Sequence, residues 1–127
     1  MRIVLDTNVV VSGLLKASGV SARVLELAQE GVRVTPLYDE RITAEYLKVL
    51  ARKGLDRRRI EQVIESLRAI GESVVAKPIS VQSPDPDDQM FIEVAVAGLA
   101  DAIVTGMQST FRSIAAFPSC RPLRFSA

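Results

Sequence analysis

The opening run "RIVLD" constrains the fold more than any other part of the chain. Ile3, Val4 and Leu5 are apolar without alternation, and the run stops at Asp6. A short, continuous, β-branched run is the signature of a strand covered on both faces. Such strands need helices above and below them, and the rest of the chain supplies helical periods. "SARVLELAQEG" reads as a helix with Ser21 as N-cap and Gly31 as its stop. "VRVTPLY" is a second short strand region. Asp39 is placed to cap "ERITAEYLKVLARKG", which carries Ile42, Tyr46, Val49 and Leu50 at helical spacing. Asp56 opens another helix, with Ile60, Val63, Ile64 and Leu67 on one face, ending near Gly71.

"ESVVA" reads as a third strand. Asp85 followed by Pro86 signals a further helix start, with Met90, Phe91, Val94, Ala95 and Ala97 as its apolar face and Gly98 as its end. "DAIVT" is the next strand, "STFRSIAAF" a short helix or turn, and "PLRF" a last strand. Strands alternating with helices predict a three-layer α/β fold around a mainly parallel sheet.

A chain of 127 residues is expected to form one domain, spanning 1–127. Asp6 and Lys16 interrupt the only long apolar opening, so no stretch reaches membrane-spanning length. The start also lacks the basic, apolar and small-residue order of a signal peptide. With one cysteine, Cys120, no internal disulfide can form, and a reducing, cytoplasmic setting is the expectation. The absence of histidine excludes most. It removes Ser-His-Asp and Cys-His triads, imidazole acid–base chemistry and His-ligated zinc. An enzyme built from these residues would rely on carboxylates, and the matching cofactor is a hard cation.

The carboxylates are spaced to meet. Chemistry in open α/β sheets collects outside the carboxyl ends of the strands. Asp6 ends the first strand, and Thr105 and Gly106 end the strand "AIVTG". Glu45 lies early in the helix after the second strand, and Asp85, Asp87 and Asp88 crowd the start of another. Asp101 precedes its strand and is expected at the opposite edge. Each acid also has a plainer reading. Asp6 can bond a loop, Glu45 can pair with Arg41 or Lys48, Asp85 can cap, and Asp88 can offset a helix dipole. Net charge is +1, but Arg52, Lys53, Arg57, Arg58 and Arg59 cluster between two helices. They make either a solvated helix junction or an RNA-binding footprint for a phosphate backbone.

Three stretches, "IVLDTNVVVSGLL", "ITAEYLKVL" and "SPDPDDQMFIEVAVAGLADAIVTG", resemble in order and spacing the acidic motifs of PIN-domain proteins, closest to the toxins of PIN-type toxin–antitoxin pairs. The resemblance implies a PIN-like fold with a central sheet of about five strands. It implies Mg²⁺- or Mn²⁺-dependent cleavage of RNA, a cognate antitoxin and a homodimer. Asp6, Glu45 and Asp88 match the metal-binding, catalytic acids, with Asp87 as the fallback for the third. Asn8 and Thr105 match supporting polar positions. The chain departs from the family at Met107 and Ser109, which stand where acids or amides are usual. A thioether is a poor ligand for a hard cation. The alternative is therefore a degenerate PIN domain that binds RNA or a protein partner with little cleavage. A phosphotransfer role for Asp6 finds no support, because "DTN" lacks the second acid of D-x-D enzymes.

Overall fold

A computed structural model describes residues 1–16, 19–78 and 89–104, together with the backbone of 111–113. Five strands form one sheet in the order β3-β2-β1-β4-β5. They are β1 (Arg2–Leu5), β2 (Thr35–Tyr38), β3 (Glu72–Ser73), β4 (Ala102–Val104) and β5 (Phe111–Ser113). The first four run parallel and β5 is antiparallel on the edge beside β4. The described helices are α1 (Thr7–Leu15), α2 (Val20–Glu30), α3 (Glu40–Arg52), α4 (Arg57–Ile70) and α5 (Gln89–Ala97). The result is the α/β, mainly parallel architecture expected of a PIN-like fold.

Ile3, Val4 and Leu5 are fully enclosed, as a centrally placed parallel strand requires. Helix α1 has no counterpart in the residue-by-residue reading. Its run of valines has modest helical propensity, because β-branched side chains lose χ1 freedom against the preceding turn. Tertiary context overrides this. Val9, Val10 and Val11 are all buried, and α1 packs on α2 and α3. Helix α2 starts at Val20, with Gly19 at the N-cap, so Ser21 lies inside the helix rather than capping it. Gly31 ends it in the left-handed region at φ 70°, where a side chain is disfavoured.

Helices α3 and α4 follow their sequence signals closely. Asp39 accepts the Ile42 amide at 2.9 Å, and Asp56 caps α4 through the Arg58 amide. Ile60, Val63, Ile64 and Leu67 form the buried face of α4. On α5, Phe91, Val94 and Ala95 are buried as expected, but Ala97 is exposed and the charged Glu93 is buried instead. Strand β5 corrects the reading of "STFRSIAAF" as a helix or turn, since Phe111–Ser113 pairs with β4. The Asp85–Pro86 start and "PLRF" lie outside the described residues.

Proline is rare inside a sheet because it offers no ladder donor, yet Pro36 sits in β2 opposite Ile3. It is tolerated because β3 joins β2 only from Leu37 onward, where Leu37 faces Glu72. The preceding Gly71 is fixed by space rather than by dihedral angle. A Cβ there would lie 2.4 Å from the Pro36 carbonyl oxygen and 2.5 Å from that of Leu67.

Candidate active site

Strand β1 has β2 on one side and β4 on the other, so the winding of the sheet reverses between β1 and β4. The crevice outside the carboxyl ends at such a reversal is where α/β folds bind ligands. Leu5 and Val104 are register partners, and the next residue, Asp6, donates its amide to the Val104 carbonyl at 2.9 Å. The Asp6 carbonyl then accepts from the Val9 amide at 3.0 Å, which turns the chain out of the strand and into α1. Asp6 occupies the N-cap position of α1, yet its carboxylate does not cap the helix. The half-buried side chain takes part in other interactions instead. Asn8, in the first turn of α1, is exposed.

Helix α3 carries the second candidate acid. Glu45 is half-buried, and the adjacent Tyr46 is enclosed within the core. The Tyr46 hydroxyl donates a hydrogen bond to the Leu5 carbonyl. Burial pushes its pKa far above the ordinary tyrosine value, and the nearby Asp6 and Asp39 charges push it the same way. The group is therefore a fixed neutral donor. It joins residue 5 to residue 46, immediately beside the two acids at 6 and 45.

The plainer reading of Glu45 as a partner for Arg41 gives way to a different arrangement. Arg41 holds Asp39 with Nε at 2.9 Å and Nη2 at 2.8 Å, and holds Glu93 of α5 with Nη1 at 2.7 Å. Both carboxylates are largely enclosed, and the Arg41 pKa is raised, chiefly by the bond to Glu93. This clamp between α3 and α5 escaped the sequence reading. Its only signal is Glu93, the single charge in "MFIEVAVAGLA". Asp101 falls at the opposite sheet edge as expected, accepting the Arg2 amide at 2.8 Å.

The basic cluster is divided in its duties. Arg57 pairs with Glu61 at 3.0 Å, and Arg59 donates from Nη2 to the Leu14 carbonyl at 2.9 Å, near the end of α1. Arg52 lies in the last turn of α3, about 10 Å along the helix axis from Glu45 at 1.5 Å per residue. Lys53 follows at the C-cap, and Arg58 lies in the first turn of α4. An open groove of about 700 Å³ beside Arg58 and Arg59 is lined by neither Asp6 nor Glu45.

Asp87, Asp88, Thr105, Met107 and Ser109 lie outside the described residues. Among the described residues, no three Asp, Glu, Cys or His side chains gather closely enough to hold a metal ion. The donors that are described suit a hard cation. Asp6 and Glu45 offer carboxylate oxygens, and Thr7, next to Asp6, keeps a buried hydroxyl without a hydrogen-bond partner. Oxygen donors of this kind fit Mg²⁺ or Mn²⁺ rather than zinc.

The family model for the PIN domain matches residues 2–108, a span that takes in every acid considered above. No curated protein and no solved structure gives a significant match. No helix among the described residues is long and apolar enough to cross a membrane.

Proposed function

The chain belongs to the PIN-domain family, whose members are generally ribonucleases that use divalent metal ions, and we propose that it is an Mg²⁺- or Mn²⁺-dependent endoribonuclease. The observation that carries this reading is the position of Asp6 at the β1/β4 reversal, tied through Leu5 to the helix bearing Glu45. In this reading Asp6, Glu45 and Asp88 hold the ion, while Asn8 and Thr105 support the site. The chemistry supplied by the bound ion is a lowered water pKa and stabilisation of charge on the phosphodiester. The chain's own task is to hold carboxylates at fixed spacing and to position RNA beside them. Arg52, Lys53 and Arg58 are the cations we assign to the RNA backbone.

The finer role is that of a toxin: a cytoplasmic homodimer restrained by a cognate antitoxin. Recovery of a tight, inhibitory complex with the product of an adjacent short reading frame tests it. The enzymatic reading is tested by incubating purified protein with RNA and Mn²⁺. Cleavage is expected in the native chain and abolished in both Asp6→Asn and Asp88→Asn. A second reading is favoured by Met107 and Ser109, which replace the usual acids. It is a domain that binds RNA or protein without cutting. Intact RNA at saturating Mn²⁺, with cleavage gained by Met107→Asp, selects that reading.

A further inference from the structure

Tyr46 is too deeply enclosed to touch a substrate, and hydrophobic packing alone does not require its hydroxyl. The hydroxyl nevertheless reaches the Leu5 carbonyl, at the point where β1 ends. Beyond Leu5, the chain gives its Asp6 amide to Val104 and its Asp6 carbonyl to α1. The peptide carrying Asp6 is thus held on one side by β4 and on the other by Tyr46. Since Tyr46 follows Glu45 directly and Leu5 precedes Asp6, this side-chain-to-backbone hydrogen bond ties the residue after one acid to the residue before the other. The link spans 41 residues of sequence and crosses from sheet to helix.

We propose that Tyr46 is a positioning residue of the metal site, fixing the separation of the Asp6 and Glu45 carboxylates through the Leu5 carbonyl. The inference rests on the reading of Asp6 and Glu45 as ligands of a divalent cation. Two carboxylates share a cation well only within a narrow range of separations, and groups that orient ligands from behind tune affinity strongly. Phenylalanine at this position keeps the packing and removes only the tether. It leaves α3 and the end of β1 free to shift against each other by fractions of an ångström.

The test is Mn²⁺ titration by calorimetry on the full chain, comparing the native protein with Tyr46→Phe, Asp6→Asn and Ile60→Val. Ile60→Val trims the buried face of α4 and serves as a stability-matched control. Tyr46→Phe is expected to weaken Mn²⁺ binding by about 10- to 100-fold, the range for loss of a ligand-orienting partner. Ile60→Val is expected to bind as the native chain does. Native-like affinity in Tyr46→Phe, or equal weakening in both variants, overturns the positioning role. If the native chain binds no Mn²⁺, or Asp6→Asn binds as tightly, the metal reading itself fails before Tyr46 is tested, and the inference falls with it. A second measurement does not depend on the variant folding. With fluorotyrosine in place of both tyrosines, the resonance from position 46 should move on Mg²⁺ addition while that from Tyr38 stays. An unmoved position-46 resonance overturns the proposal.

Discussion

Arg41 Nη1 lies 2.7 Å from Glu93 Oε1, joining a residue in the first turn of α3 to the middle of α5. The same guanidinium holds Asp39, so one half-exposed cation neutralises two carboxylates that are mostly out of solvent. Removing the cation should therefore cost more than removing either acid. Arg41→Ala is expected to destabilise the fold by about 1–3 kcal/mol, below the figure for a fully buried pair because the guanidinium is partly solvated. Adding Glu93→Gln to Arg41→Ala should recover part of that loss. Denaturant melts of the two single variants and the double variant check this.

The buried Tyr46 hydroxyl gives a sign to alkaline stability. Its folded pKa lies above the unfolded value of 10.0, so the folded state holds the proton more tightly. That contribution is fully present below pH 10.0 and is lost as pH rises above it. Melting temperature should fall on the alkaline side in the native chain and fall less steeply in Tyr46→Phe. In a tyrosinate absorbance titration, one of the two tyrosines should ionise only together with unfolding.

Gly31 should resist replacement. A Cβ there would meet Ile70 Cγ2 at 2.1 Å, in a backbone conformation that side chains disfavour. Gly31→Ala is expected to cost about 2–3 kcal/mol from overpacking and strain together. A control, Gly54→Ala, has the same sign of φ and open space around the added methyl, so it should cost about 1 kcal/mol. Thermal melts separate the two.

The basic cluster should split by role. Lys53→Ala and Arg58→Ala are expected to weaken RNA binding across sequences and lower the salt slope by about one contact each. Arg59→Ala should instead reduce stability by about 1 kcal/mol, because it releases the Leu14 carbonyl. Binding measured against salt, with melts alongside, checks both effects.

How far residue patterns carried the reading depended on how local the physics was. The double-sided burial of Ile3, Val4 and Leu5, the Asp39 and Asp56 caps and the apolar stripe of α4 are near-neighbour effects, and all are present. Helix α1 was hidden because valine propensity points away from helix, and only the exit of the chain at Asp6 decides the matter. Strand β5 was hidden because edge pairing with β4 depends on a partner, not on its own sequence. The places of Asp6 at the end of β1 and of Glu45 early in α3 were legible from local pattern. The links through Tyr46–Leu5 and Arg41–Glu93 span 41 and 52 residues, beyond any periodicity.

Pro36 and the brevity of β3 bear on self-association. An unpaired sheet margin is a template on which other chains can lengthen the sheet. Here the margin next to β2 is only Glu72 and Ser73, exposed and carrying a charge, with Pro36 withholding a donor just upstream. Among the described residues, a second molecule approaching along that side finds only this short stretch to extend. Growth into fibrils through this margin is accordingly discouraged.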